Sequence, residues 1–210
     1  MNDEKNSLTL RVVVPGTPEP GARVEVRPVV DGLDILAEAF PEGPCCGALY
    51  VTVRSDGGDV IWSGWRNPDD DEVDLPEFRF DARQYRAEVE RAATDHSWEW
   101  PARTVARLLE GHLVARTGWL PSWECELGGV SAWLWEPERI NLFLFHPSRS
   151  AIREDRPWLQ FRMTLAVSGD DPAAQAERLA EQLTAGDPRQ SAEVCGGSIE
   201  FARQLGYSWP

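Results

Sequence analysis

The sequence predicts an α+β fold in which mainly antiparallel β-sheet, arranged as hairpins and a meander, packs with about four helices. Several short segments alternate apolar and polar residues, which is the period of a strand with one buried face. Their connections are too short for the crossovers that parallel strands need. Other segments repeat apolar residues at helical spacing behind a capping residue.

Two strands are predicted near the start of the chain, at residues 8–14 and 23–30. The proline-rich residues 15–20 between them form a stiff loop. Pro28 places the second strand at a sheet edge or a bend, because proline cannot donate a ladder hydrogen bond. Residues 33–40, LDILAEAF, fit either a strand or one helical turn.

A β-hairpin is predicted next, with strands at residues 49–53 and 60–65. The turn between them, Asp56-Gly57-Gly58-Asp59, offers glycines for the positive φ angles of a tight turn. Apolar residues occur on both faces of the return strand, so we expect the hairpin to be covered on both sides.

Helices dominate the middle of the chain. Residues 78–80 form a short predicted strand, after which Asp81 caps a helix. A second helix begins at Pro101, since proline is tolerated in a first turn, and Gly118 ends it.

The remaining residues return to strands and finish with helices. Gly128-Gly129 predicts a second hairpin turn, between strands at 123–127 and 130–135. Strands at 140–145 and 158–167 complete a meander. A helix follows Asp171-Pro172, and a shorter one begins at Asp187-Pro188 and is closed by Gly196-Gly197. Residues 198–206 supply the last helical turns.

This order suggests two subdomains, a β-rich one at residues 1–76 and a helix–meander–helix one at residues 77–210. The acidic residues 68–76 would form the seam between them. A single domain is the alternative, because 210 residues suit one large domain as well as two small ones.

Charge and composition restrict the function classes. The net charge of −14 repels phosphate backbones and anionic lipid surfaces, so neither nucleic acid nor membrane is expected as a partner. A basic protein or a small aromatic or cationic ligand fits this charge better. The N-terminus carries no apolar run of a signal peptide, and four cysteines without one predict free thiols in a reducing cytoplasm. No cofactor motif is found, so no cofactor is predicted.

Three stretches carry a resemblance to other proteins. They are Cys45-Cys46-Gly47-Ala48-Leu49-Tyr50, Asp95-His96-Ser97-Trp98-Glu99-Trp100-Pro101 and Ala192-Glu193-Val194-Cys195-Gly196-Gly197. Together they resemble a group of uncharacterised actinobacterial proteins that have no assigned activity. The resemblance implies a bacterial cytoplasmic protein and transfers no catalytic residue.

The adjacent thiols of Cys45 and Cys46 are candidate metal or redox groups. A zinc site would require Cys125, Cys195 or a histidine to converge on them, and no C-x-x-C pair is present. Buried structural cysteine explains these residues better, because unpaired cysteine is commonly buried.

Histidines beside carboxylates are candidates for acid–base catalysis. His96 lies between Asp95 and Glu99, and His146 ends a predicted strand where it could line a pocket. No nucleophile elbow and no HExxH motif accompanies them. Capping of a helix by Asp95 or Ser97 is the simpler explanation of the first group.

Tryptophan is the most distinctive feature, with ten in the chain. The candidate binding residues are Trp98, Trp100, Trp133, Trp135 and Trp158. Tryptophan is enriched at binding hot spots and can hold a cation on its ring face, although a large aromatic core would also explain the number.

We therefore expect a non-catalytic binding protein that engages a basic protein partner. Immunity proteins, which neutralise toxins, are an analogy for this function. The alternative is a small-molecule-binding protein or enzyme whose Trp-lined pocket includes His96 or His146. A thiol or zinc site at Cys45 and Cys46 is the third hypothesis.

Overall fold

The computed structural model describes residues 5–17, 19–20, 22–40, 48–68 and 73–209. The chain divides into two compact units. The first comprises Met1–Thr17 and Gly21–Trp98, and the second comprises Glu99–Pro210 together with Pro18–Pro20. Both units combine antiparallel strands with helices, which confirms the α+β prediction.

The described residues of the first unit form two three-stranded antiparallel sheets and two helices. One sheet has the order β1–β2–β3, with β1 at Leu8–Val13, β2 at Glu25–Val30 and β3 at Leu33–Asp34. The other has the order β4–β5–β6, with β4 at Tyr50–Asp56, β5 at Asp59–Arg66 and β6 at Phe78–Asp81. Helix α1 spans Ile35–Ala39, and helix α2 spans Ala82–Thr94.

Local sequence signals explain most of these elements. The predicted hairpin forms at Gly57-Gly58, whose φ angles are 57° and 98°. The Asp81 carboxylate caps α2 by accepting from the backbone N–H of Arg83 at 2.9 Å and of Gln84 at 3.1 Å. Residues 33–40 adopt both of the expected structures, because β3 is followed directly by α1.

Pro28 lies in the middle strand of its sheet and not in an edge strand. It is tolerated because β3 pairs only with Val29 and Val30, so none of the described residues pairs with β2 on that side at Pro28. The sheet edge that the proline predicts is therefore confined to Pro28 itself.

The division of the chain lies at Trp98–Glu99 and not at the acidic residues 68–76. Strand β6, which follows the acidic residues, pairs with β5 through Val60↔Phe80 and Trp62↔Phe78. The same residues form the core of this unit with Val30 and Ile35. Pairing across residues 68–76 thus keeps β6 and α2 in the first unit.

The second unit contains a four-stranded antiparallel sheet of order β10–β9–β8–β7, and its two longest helices pack together against one face. The strands are β7 at Glu126–Ser131, β8 at Arg139–His146, β9 at Leu159–Ala166 and β10 at Glu193–Gly197. The helices are α3 at Pro101–Ala115, α4 at Trp119–Ser122, α5 at Ser150–Arg153, α6 at Pro172–Thr184 and α7 at Ile199–Gln204, with a 3-10 helix at Pro188–Ser191.

Two expectations for this unit are wrong. Gly128-Gly129 does not turn the chain, because it lies inside the single strand β7, where the pairing register shifts between Leu127 and Gly129. Gly196-Gly197 does not close a helix either, because it ends β10, which pairs with β9. In both places glycine accommodates a β-bulge or a close approach of strands, uses that a local pattern does not distinguish from a turn.

The register gives this sheet one core face and one opposite face. Residues Ile140, Leu142 and Leu144 of β8 are fully buried against α3, α6 and their neighbours. Alternation therefore directs Asn141, Phe143 and Phe145 to the opposite face. In the described part of the chain, no helix is long and apolar enough to cross a membrane.

Candidate functional site

The group predicted around His96 is divided between the two units, since Asp95 and His96 belong to the first unit and Glu99 to the second. Asp95 ends helix α2, and its carboxylate accepts from the backbone N–H of Ser97 at 2.9 Å and from its hydroxyl at 2.6 Å. These hydrogen bonds, with the nearby charge of Arg91, lower the pKa of Asp95. The carboxylate therefore holds a turn at the helix end, as the simpler explanation proposed.

Glu99 is a buried carboxylate in an ion pair. Its side chain is 1% exposed and accepts from the Arg107 guanidinium, with Nε–Oε1 at 2.9 Å and Nη2–Oε2 at 2.9 Å. The Thr104 hydroxyl donates to the same carboxylate at 3.2 Å. These bonds tie the residue preceding α3 to the first turns of that helix, so Glu99 is engaged in structure.

His146 lies on the core face of the sheet, at the end of β8. Its Nδ1 donates to the backbone carbonyl of Glu124 at 2.8 Å, because a carbonyl oxygen can only accept. The imidazole also stacks on Phe201 of α7, with an interplanar angle of 6°. None of these contacts joins His146 to the predicted tryptophans.

Cys125 is next in the chain to Glu124, the hydrogen-bond partner of His146. Cys125 is buried, which raises its pKa to about 11, and its Sγ donates to the Trp123 carbonyl at 3.4 Å. Burial also raises the pKa of Cys195. A protonated thiol is a poor nucleophile and a poor metal ligand.

Cys45 and Cys46 lie outside the described residues. Within residues 5–17, 19–20, 22–40, 48–68 and 73–209, no group of three or more His, Cys, Asp or Glu side chains is arranged to hold a metal ion.

The tryptophans do not form one site. Trp98 belongs to the first unit, where its Nε1 donates to the Asp95 carbonyl at 2.8 Å. Trp100 packs against the core of the second unit. The three remaining candidates, Trp133, Trp135 and Trp158, lie in the second unit outside that core.

Trp158 joins two phenylalanines on the face of the sheet opposite the core. Phe143 and Phe145 point there from β8, and the Trp158 ring lies 6.0 Å from the Phe145 ring. Trp158 directly precedes the buried Leu159, so alternation also directs it away from the core. We refer to the half-buried rings of this unit that lie outside its core as the aromatic face; they are Trp133, Trp135, Phe143, Phe145 and Trp158.

Trp133 and Trp135 stand on the loop between β7 and β8. Their rings stack with centroids 5.5 Å apart and an interplanar angle of 14°. Ala132, which precedes the pair, packs against the core, and the Glu136 N–H donates to the Trp133 carbonyl at 3.0 Å, so residues 133–136 form a turn. The charge of Glu136, next along the loop, acts on the Arg162 guanidinium of β9.

All five rings of the aromatic face are half-buried, whereas the core residues of this unit are buried. Arg162 pairs with Glu193 of β10, which raises its pKa. Arg149 lies 5.2 Å from the centre of the Phe145 ring and donates to the carbonyls of Leu127 and Gly128 at 3.0 and 2.8 Å. Both arginines are thus engaged with neighbouring residues of the sheet.

The sequence alone identified the tryptophans of this face but missed Phe143, Phe145, Arg149 and Arg162. Residues 140–145 are apolar in unbroken series apart from Asn141, so periodicity does not show which of them face the core. The single polar residue Asn141 was the available signal, because it shares a face with Phe143 and Phe145.

No family model matches this sequence, and neither the curated proteins nor the solved structures provide a significant match.

Proposed function

We propose that this chain is a non-catalytic binding protein of the bacterial cytoplasm, whose aromatic face engages a basic segment of a partner protein. The observation that carries the proposal is the stacked pair Trp133–Trp135 on a loop that also bears Glu136 and Glu138. Indole faces attract guanidinium and ammonium groups, and nearby carboxylates strengthen that attraction.

The geometry of the pair defines how a cation would bind. With nearly parallel rings 5.5 Å apart, the two indoles contact each other and leave no space for a ligand between them. A partner side chain would therefore lie on an outer ring face, within reach of Glu136 or Glu138. Arginine suits this arrangement better than lysine, because its planar guanidinium stacks on an aromatic ring and bonds a carboxylate at the same time.

The charge of the whole chain supports the same partner class. A net charge of −14 attracts basic proteins over long distances and speeds their association at low salt. It also makes binding depend on ionic strength, since exposed charges are screened beyond a Debye length of about 8 Å in physiological salt.

A non-catalytic role is supported by the engagement of the candidate catalytic groups. Asp95 holds a turn, Glu99 is bonded to Arg107, and the Cys125 thiol is protonated at neutral pH. His146 lies on the opposite side of the sheet from Phe143 and Phe145 of the aromatic face. The free thiols of Cys125 and Cys195 fit the reducing compartment that we propose.

The experiment measures binding of the blocked peptide acetyl-Gly-Arg-Gly-Arg-Gly-Arg-amide by calorimetry and tryptophan fluorescence. We expect saturable binding that weakens as salt rises, and weaker binding of the matching lysine peptide. The substitution Trp135→Ala should lower the affinity about tenfold, as truncation of a hot-spot residue does. Trp209→Ala, at an exposed position near the C-terminus, is the matched control and should change nothing.

Two further variants separate the ring from the charge. Trp135→Phe keeps an aromatic ring and should retain most of the affinity for the peptide. Glu136→Gln with Glu138→Gln removes two carboxylates and should make peptide binding less dependent on salt. Equal binding of the arginine peptide and a glutamate peptide would contradict the proposal. So would a Trp135→Ala protein that is folded and binds as well as the unchanged chain.

A further inference from the structure

Strand β4 forms one edge of its sheet in the first unit, and that edge is open to solvent. β4 pairs with β5, and among the residues that the structure describes no other strand, turn or side chain bonds its backbone. Six of its seven residues are exposed, and only Val51 is half-buried. Helix α2 packs mainly against β1, β5 and β6 and does not cover this edge. An open edge of this length is a template for a further strand.

The outward-facing backbone groups of β4 belong to alternate residues. In an antiparallel pair, residues bonded to the neighbouring strand alternate with residues whose N–H and C=O groups point away from it. Gly57-Gly58 forms a two-residue turn, so Asp56 at its start is bonded to β5. Counting back along the strand from Asp56, the outward residues are Val51, Val53 and Ser55. Each of them has one donor and one acceptor available for another strand.

Val53, at the centre of this edge, is an apolar residue on the core side of the sheet that remains open to solvent. It lies opposite Trp62 of β5, which is 7% exposed and belongs to the core of this unit. Val53 itself is 52% exposed. It lines a cavity of about 520 Å³ together with Tyr85 of α2. A strand added to β4 would therefore find space for its side chains and would bury apolar surface.

The charges of β4 suit pairing with a second copy of the same strand. The strand carries one positive residue, Arg54, and one negative residue, Asp56, so it has no net charge in a chain of net charge −14. In an antiparallel pair centred on Val53, all seven residues find a partner, because Val53 is the middle residue. Arg54 then faces Thr52 of the second copy. Asp56 faces Tyr50 of the second copy, so no like charges lie directly opposite each other.

We propose that two copies of this chain associate through β4, which joins their three-stranded sheets into one continuous sheet. The two strands run antiparallel about a two-fold axis at Val53. This register brings outward residues together, Val53 with Val53 and Val51 with Ser55, so each outward N–H and C=O group bonds the other copy. Such a contact closes on itself and requires no third copy. It uses no residue of the aromatic face, so it stands or fails independently of the proposed function.

Sedimentation velocity of the full chain from about 5 to about 500 µM measures the association, because an interface of two edge strands is small and should be weak. We expect the sedimentation coefficient to rise with concentration. The rise should be larger in about 0.5 M salt, since two chains of net charge −14 repel each other and salt screens that repulsion. Binding of a basic segment at the aromatic face should weaken with salt, so the two contacts are distinguishable.

The substitution Val53→Lys places two ammonium groups opposite each other at the two-fold axis. It should lower the association constant about tenfold, because the like charges repel and the contact between the two valines is lost. The lysine side chain reaches solvent in the single chain, so the fold should be retained, which circular dichroism checks. Val26→Lys is the matched control, because Val26 of β2 is 55% exposed and the variant has the same net charge. It should leave the association unchanged.

Hydrogen exchange followed by NMR locates the contact on the chain. The amides of Val53 and Ser55 should exchange more slowly at high protein concentration than at low concentration, since association gives them hydrogen-bond partners. The amide of Arg54 should change less, because it is bonded to β5 in the single chain.

Three outcomes would overturn the proposal. The first is a chain that stays monomeric over the whole concentration range at both low and high salt. In that case, slower exchange at Val53 and Ser55 on addition of the strand-forming peptide acetyl-Thr-Val-Thr-Val-Thr-amide would assign the edge to a strand of another protein. The second is a dimer that Val53→Lys weakens no more than Val26→Lys does. The third is association without slower exchange at Val53 and Ser55. If Val53→Lys fails to fold, the exchange rates of the unchanged chain still decide the question.

Discussion

Asp187 shows how an arginine two residues along the chain fixes the charge state of a carboxylate. Its two oxygens accept from Arg189 Nε at 3.0 Å and Nη2 at 2.9 Å, and Oδ1 also caps the 3-10 helix by accepting from the Arg189 N–H at 3.0 Å. The Arg189 guanidinium lowers the pKa of Asp187 below its usual range. The carboxylate therefore stabilises the fold through its ionised form.

Replacing Asp187 with Asn should destabilise the second unit by about 1 kcal/mol at pH 7, since Asn keeps the cap and loses the ion pair. The folded pKa is lower than the unfolded value of about 4, so the ionised group stabilises fully above that value. The contribution is lost as the pH falls through the folded pKa. Urea unfolding from pH 7 to pH 3 should show that the difference in free energy of unfolding between the unchanged chain and the variant becomes smaller.

Asp171→Asn is the control for this experiment, because Asp171 caps α6 through the Ala174 N–H at 2.9 Å. It replaces a capping carboxylate with the same amide. If the loss in free energy of unfolding caused by Asp187→Asn stays constant across the pH range, the ion pair contributes nothing to stability.

At the scale of secondary structure, Gly128 shows where local pattern stops determining the fold. Two adjacent glycines are typical of a hairpin turn, which is what the sequence predicts here. The structure uses them within β7, where a Cβ on Gly128 would lie 2.8 Å from the Phe143 carbonyl oxygen. The carbonyl oxygen belongs to β8, and the residues around Gly128 do not indicate that this strand lies so close. Strands and helices with their own caps and periodicity were predictable, and this bulge was not.

The same limit applies to the aromatic face. Composition indicated Trp133, Trp135 and Trp158, because the large indole ring contributes strongly to whichever core or interface buries it. Phe143 and Phe145 became part of the face only through the pairing of β8 with β9, which sets the register over the whole strand. His146 was excluded from it by that register too, since a shift of one residue would exchange the two faces.

Gly128→Ala should destabilise the second unit by about 2 kcal/mol, because the added methyl group collides with backbone that cannot move without breaking the β7–β8 pairing. Gly111→Ala is the matched control, since a Cβ at Gly111 in α3 meets no atom within 4 Å. It should stabilise by about 0.5–1 kcal/mol, as alanine does in a helix interior. Both values come from urea unfolding followed by circular dichroism. Equal stability of the two variants would mean that β7 can move away from Phe143.

At the scale of the whole molecule, the two units differ in the size of their cores. Among the described residues, the second unit buries twenty in one cluster, whereas the main cluster of the first unit buries six. Larger cores bury a greater fraction of the unfolded surface and give more stable domains. Every residue of the aromatic face belongs to the second unit.

We therefore expect residues 99–210 to fold when expressed alone, with cooperative unfolding and a near-ultraviolet circular dichroism signal from ordered tryptophans. The control is a fragment of residues 77–210, which begins at the seam that the sequence suggested. It carries β6 and α2 without β5, so Phe78 and Phe80 lose the partners that bury them. This longer fragment should expose apolar surface and aggregate more readily than the shorter one. A disordered 99–210 fragment, or a 77–210 fragment that aggregates less than the shorter one, would place the boundary of the second unit before Glu99.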